Sequence, residues 1–230
     1  MKKIAIIGAS GFVGSALSRQ GKDKFDITSV TRKNFLECKN KQYDIVINSA
    51  MPSRRFWALN NPVSDVMESV VKTAEIFYEW KYDKFIQISS ISAQIQTDIP
   101  YGAHKKAAEV IVENNKDAMI VRLGALYGEG LTKSALFDLV NHNHIYVDIR
   151  SEYNYIDVDY AANWIFNNLE KTGIREVGAY DTVSLLELSA GIWDKPTYEG
   201  RFEKIHTDNV EYGMPSAKKV LNYINLLKKG

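Results

Sequence analysis

Residues 3–20 read KIAIIGASGFVGSALSRQ. An apolar run, Ile4–Ile7, stops at Gly8, glycines recur at Gly11 and Gly14, and a stretch with helical spacing follows. The order predicts a strand, a tight turn and the start of a helix. Each glycine has a use in that place. Gly8 permits the turn, Gly11 lets the backbone approach a pyrophosphate, and Gly14 lets the helix lie close on the strand. The first N–H groups of the helix then face the anion, and the helix dipole favours negative charge there. Ser10, Phe12 and Val13 belong to the same cradle. The stretch is therefore expected to hold the diphosphate of a dinucleotide.

The pattern repeats outward from this point. Short apolar or β-branched runs, FDITSV, YDIVINSA, KFIQISS and MIVRLGALYG, alternate with segments of helical spacing. In the segment 63–80, Val66, Val70, Thr73, Ile76, Phe77 and Trp80 share one face; a second helix is expected over 101–114, with Ala107, Ala108, Val110, Ile111 and Val112. Such alternation implies βαβ units, right-handed crossovers and a parallel sheet covered on both faces. After about residue 124 the rhythm loosens. A helix in LTKSALFDLVN, a strand in HIYVDI, a helix from Val158 ending at Gly173, a strand in EVGAY, a helix in SLLELSAGIW and a last helix near SAKKVLNYINLLKK are expected.

Composition bounds the functions. The chain has 230 residues, 45% hydrophobic and 25% charged, enough for one sizeable core or one core with a small appendage. A net charge of +1 supplies no general field toward nucleic acid or an anionic membrane. One cysteine, Cys38, excludes an intramolecular disulfide framework and a multi-cysteine zinc site. No carboxylate–histidine cluster accompanies His142 and His144, so no metal is expected. Ile4–Ile7 is too short for a signal-peptide core, and no run approaches the ~18 apolar residues that span a bilayer. These features point to a soluble cytoplasmic protein with neither nucleic acid nor membrane as partner.

Two further stretches carry chemistry. An acidic residue that would bond a ribose 2′-OH is expected at the end of the second strand. FDITSV is followed instead by Thr31-Arg32-Lys33, which suits a 2′-phosphate. NADP is thus favoured over NAD. Farther on, Tyr101 and Lys105 lie four residues apart on a predicted helix, hence on one face. A phenol transfers protons at neutral pH only if its phenolate is stabilised, and an ammonium one turn away does that. The strand before them ends in Ser89-Ser90-Ile91-Ser92, which places serine hydroxyls at its carboxyl end.

Together, G-x-x-G-x-x-G over Gly8–Gly14, a strand ending in Ser-Ser and Tyr101-x-x-x-Lys105 resemble the extended branch of the short-chain dehydrogenase/reductase superfamily, which includes nucleotide-sugar epimerases, dehydratases and reductases. YDIVINSA, Arg122-Leu-Gly-Ala-Leu-Tyr127-Gly128, Asn154–Asp159 and PSAKKVLNY resemble further segments of that family. The resemblance implies an α/β, Rossmann-type doubly wound parallel sheet over residues 1–124. A small substrate-binding lobe over 125–230 would be interleaved with the last sheet elements. It further implies that Asn48, Ser49 and Ala50 line the cofactor, that Ser90 polarises a carbonyl, that Tyr101 moves the proton and that Lys105 supports the phenolate. Ser92, Arg54, Ala125 and Tyr127 would meet substrate, with Arg55 beside Arg54 as a second cation for a diphosphate.

Several positions depart from the family pattern. Ala125 replaces an asparagine, Ser69 another, and His104 stands where serine is frequent. Ile91-Ser92-Ala93 replaces the Asp-Glu pair that dehydratases of this branch use, which argues against dehydration. The first expectation is an NADPH-dependent reductase of a keto-sugar nucleotide or similar carbonyl compound. The alternatives are a nucleotide-sugar epimerase and a non-catalytic NADP-binding redox sensor. The family's dimer pairs two helices from each subunit, which would be 63–80 and 101–114 here.

Overall fold

The computed structural model describes residues 1–190 and 192–227. Its first half alternates strands and helices as the apolar runs require. In order these are β1 (Lys3–Ile7), α1 (Phe12–Gly21), β2 (Asp26–Val30), α2 (Phe35–Lys39), β3 (Gln42–Asn48), α3 (Arg55–Asn60), α4 (Pro62–Val66), α5 (Lys72–Glu79), β4 (Lys81–Ser90), α6 (Ser92–Ile95), α7 (Pro100–Glu113) and β5 (Met119–Leu123). There follow β6 (Leu126–Tyr127), α8 (Ala135–Val140), β7 (Glu152–Tyr153), β8 (Ile156–Asp157), α9 (Val158–Asn167), β9 (Gly173–Val177), β10 (Val183–Ser184), α10 (Leu185–Ser189), β11 (Lys204–Ile205) and α11 (Val220–Leu227). The chain divides into two compact units, residues 1–123 with 162–175 and residues 124–161 with 176–230.

Six strands form one sheet in the order β2-β1-β3-β4-β5-β9. The pairings from β2 across to β5 are parallel. Strand order reverses between β1 and β3, and a doubly wound sheet opens a crevice at such a point, beyond the carboxyl ends of its strands. Ile4, Ala5, Ile6, Val46, Ile47, Phe85, Ile86, Met119, Ile120 and Val121 are buried, so the central strands are covered on both faces. In the second unit β10-β7-β11 and β6-β8 form two small sheets.

The segment 63–80 is helical but not one regular helix. Between α4 and α5, Met67–Val71 forms a π-helical turn. The wider turn keeps Ser69 and Thr73 inward with Ile76 and Phe77, while Val63, Met67 and Val71 face outward. In α7, Ala107 and Val110 are exposed; the buried face is Lys105, Ala108, Glu109 and Val112. Two polar residues in that set replace the apolar stripe expected there.

Later expectations need more correction. HIYVDI is not a strand: Ile145 makes one isolated bridge, to Tyr198. The Asp148 carboxylate accepts from the Arg150 N–H at 2.8 Å and from its Nε at 2.9 Å. That local turn competes with strand formation. Helix α9 ends at Asn167, and a turn through Lys171, whose N–H donates to the Asn168 carbonyl, leads into β9 at Gly173. The expected EVGAY strand is therefore only the end of β9. Helix α10 is short; Ser184 and Glu187 form a reciprocal capping box at its start, and Gly191 lies outside the described residues. The last helix opens with a 3-10 turn over Ala217–Lys219, and residues 228–230 lie outside the description.

Candidate active site

Parallel pairing brings the ends of β1, β3 and β4 to one sheet edge, and with them Gly8, Asn48–Ala50 and Ser90. At Gly8 the backbone has φ +84°, and an added Cβ would lie 2.8 Å from the Ala50 Cα. The Gly8 and Ala9 N–H groups donate to the Val30 carbonyl at 3.0 and 3.1 Å, which ties the turn to the end of β2. A Cβ on Gly14 would come within 2.1 Å of the Gly8 carbonyl oxygen, so α1 approaches the turn as closely as backbone permits. Helix α1 starts from Gly11 with no side-chain cap. Its first N–H groups are not claimed by a capping side chain, the setting in which a helix start can meet an anion.

Asn48 and Ser49 are used by the scaffold. Asn48 Nδ2 donates to Thr73 Oγ1 at 3.2 Å and to Gln87 Oε1 at 3.0 Å, and its Oδ1 accepts from the Ala50 N–H at 3.2 Å. Ser49 Oγ donates to the Ile7 carbonyl at 2.7 Å. Both side chains hold β3 beside the glycine turn, leaving Ala50 as its wall. After β2, the Thr31 N–H and hydroxyl donate to Asn34 Oδ1 at 2.7 and 3.2 Å, and Asn34 Nδ2 donates to the Ser29 carbonyl at 3.0 Å. This clamp leaves Arg32 and Lys33 exposed, with no ion pair among the described residues.

At the end of β4, Ser90 is half-buried and its Oγ accepts from the Ser92 N–H at 3.2 Å. The Ser90 side chain acts on the Tyr101 phenol, easing its ionisation. Lys105, 5% exposed, lies with Nζ 5.3 Å from the centroid of the Tyr101 ring. Burial pushes the Tyr101 phenol above its ordinary range, against the opposing pull of Arg55 and of Ser90; the Asp65 charge adds to the rise. The three residues singled out from the Ser-Ser and Tyr-x-x-x-Lys patterns therefore meet. Ser92 is turned inward, its Oγ donating to Gln96 Oε1 at 2.8 Å. Arg54 is exposed, just before α3.

The model of the NAD dependent epimerase/dehydratase family matches residues 4–146. The chain belongs to that family. No curated protein sequence matches it. Among solved structures it is similar to dTDP-4-dehydrorhamnose reductase from Bacillus anthracis in complex with NADP, with TM-score 0.79, 17% identity and 98% of each chain covered. It is also similar to UDP-glucuronic acid 4-epimerase from Bacillus cereus in complex with UDP-glucuronic acid and NAD, with TM-score 0.76, 17% identity, 98% of this chain and 99% of that one covered. A third is UDP-N-acetylglucosamine 4-epimerase from Methanobrevibacter ruminantium in complex with UDP-N-acetylmuramic acid, with TM-score 0.76, 14% identity, 100% of this chain and 99% of that one covered.

Within this epimerase/dehydratase-family chain, two supports of the candidate site went unread in the sequence. A Cβ on Gly102 would meet the Gln96 carbonyl oxygen at 2.1 Å and the Ser92 carbonyl oxygen at 2.6 Å. Gly102 thus lets α7 start hard against α6, with Tyr101 beside Ser90. Its place directly after the tyrosine was the available signal. Under the site, Glu109 is fully buried and accepts from Ser89 Oγ at 2.7 Å, from Arg122 Nε at 3.0 Å and from an Arg122 Nη at 2.7 Å. Arg122 reaches Gln94 Oε1 at 2.6 Å through its other Nη. The network pins α7 to β4, β5 and α6. In the second unit, the Ala125 N–H donates to Asn154 Oδ1 at 3.4 Å, and Tyr127 is buried 5.4 Å from the Tyr223 ring. Burial raises the Tyr127 phenol to about 12. No described helix is long and apolar enough to cross a membrane.

Proposed function

We propose that this family member is an NADPH-dependent reductase of a keto-sugar nucleotide or a similar carbonyl compound. The observation that carries the reading is Lys105, buried with Nζ 5.3 Å from the centroid of the Tyr101 ring, beside the strand end that bears Ser90 and at the same sheet edge as the glycine turn. Uncapped N–H groups at the start of α1 would hold the diphosphate, while Arg32 and Lys33 would pair with the 2′-phosphate. Bound NADPH supplies hydride to the carbonyl carbon. Ser90 donates a hydrogen bond to the carbonyl oxygen, and Tyr101 gives that oxygen its hydroxyl proton. Lys105 stabilises the phenolate left behind. Arg54 and Arg55, following β3, are the cations offered to a substrate diphosphate.

The test is NADPH oxidation by the purified protein over a panel of keto-sugar nucleotides and simple ketones, alongside Tyr101→Phe. The reading expects turnover that the variant loses by orders of magnitude while still binding NADPH. Equal turnover in the variant removes Tyr101 from the mechanism. Interconversion of sugar epimers without net NADPH consumption would assign an epimerase. Binding without any turnover would assign a redox sensor.

We further propose a homodimer through α4, α5 and α7. Val63, Met67 and Val71 on the outer face of the 62–79 helical segment, together with Val110 on α7, are large apolar side chains left exposed in the single chain.

A further inference from the structure

The site description leaves one buried carboxylate without a task. Asp65, on α4, is 1% exposed. Its Oδ2 lies 2.6 Å from His104 Nδ1, and its Oδ1 is buried with no hydrogen-bond partner. His104 sits one turn after Tyr101 on α7, so the two share a helix face. A half-satisfied carboxylate in the interior is costly, and its field is weakly screened there. We propose that the Asp65–His104 pair is a positioning device for Tyr101, seating the first turn of α7 against α4 and setting how readily the phenol releases its proton.

The inference rests on the reading of Tyr101 as the proton donor. The charged or titratable groups facing Tyr101 are Arg55 from α3, Asp65 from α4, and His104 and Lys105 from α7; β4 contributes the neutral Ser90. Of these, Asp65 is the group whose negative charge disfavours the phenolate, and it does so against Arg55. His104 limits that effect by donating to the carboxylate. The pair therefore sets the phenol's acidity, with the Asp65 charge opposing Arg55 and His104 tempering that charge.

The test is direct titration of the Tyr101 phenol by NMR of protein labelled at tyrosine Cζ, without cofactor, with the resonance assigned by its loss in Tyr101→Phe. Asp65→Asn keeps a polar side chain and removes the charge, so the Tyr101 titration should begin on the order of half a unit to one unit lower in pH. His104→Ala leaves the carboxylate unmatched and should move the titration upward. His104→Asn, which can still donate to Asp65, should return it toward the parent. Thermal melts establish that each variant is folded, and Asp65→Asn with His104→Asn decide the matter if His104→Ala is not. Superimposable titrations, a flat Asp65→Asn curve included, overturn the proposal, because a merely structural contact would alter melting and leave the phenol unmoved. Turnover by Tyr101→Phe is a separate measurement: if it persists, the proton-donor reading fails whatever the titrations show.

Discussion

Arg32 should decide the cofactor. A charge-assisted contact to phosphate is worth about 1.5–3 kcal/mol, so Arg32→Ala is expected to weaken NADPH binding roughly ten- to a hundredfold while sparing NADH. Titration calorimetry with both nucleotides measures this, and equal losses would contradict the assignment. Gly102 is the second decisive position. Ala at 102 would push a methyl into the Gln96 carbonyl, so either α6 or the start of α7 must shift. The expected cost is about 1–3 kcal/mol in urea unfolding, with turnover falling because Tyr101 moves from Ser90. At this scale the candidates legible in the sequence are residue types at a fixed spacing, Gly8, Ser90, Tyr101 and Lys105, and they stay proposals. The sequence was not readable where a residue acts through what another segment places beside it. Nothing local in Asp65, Asn34 or Glu109 announces its partner, and His104 reads only as a departure until Asp65 is seen against it.

Among the elements, α7 carries the most. It carries Tyr101, Lys105 and Glu109 four residues apart along one face, so the ion pair with Arg122 fixes the face that bears the candidate residues by fixing the helix. Breaking a buried pair by removing one partner costs about 3–5 kcal/mol, because the other charge is left uncompensated. Glu109→Leu is therefore expected to lower the urea midpoint sharply. Replacing Glu109 and Arg122 together by apolar residues should recover much of that loss. A double-mutant cycle over the pair measures the coupling. The strands up to β5 and the helices α1 and α7 were legible because buried parallel strands write themselves as apolar runs and such helices keep a 3.6-residue period; the short helices α2, α3 and α6 were not, having too few residues to show one. The π turn at Met67–Val71 was not legible either, since the apolar spacing on either side satisfies an ordinary helix. Past β5, strands β6, β7 and β8 have two residues each, too short for any period to show. HIYVDI, by contrast, has strand composition, but its Asp148–Arg150 turn is a local side-chain event that composition does not reveal.

For the whole molecule, alkaline pH is the weak side. Burial lifts the Tyr43, Tyr82 and Tyr127 phenols to about 12, against about 10 in an unfolded chain. The folded protein thus binds these protons more tightly than the unfolded one. The stability this contributes is complete below about pH 10 and is lost as pH rises toward about 12. Melts should be level from neutral pH to about pH 9 and then fall steeply; Tyr43→Phe should flatten part of that fall. Association is the other property of the whole. Sedimentation should show a dimer in the parent, and Val63→Asp with Met67→Lys should give a monomer of unchanged melting behaviour. Among the described residues the sheet ends at β2, whose outward row of backbone groups meets no further strand. Such a margin is a template on which a foreign chain can add a strand. Here it is only five residues long, begins at Asp26, and has the Ser29 carbonyl already taken by Asn34. The Asn34 clamp therefore also guards the margin against polymerisation, and a chain lacking Asn34 would be exposed to fibre growth from that side.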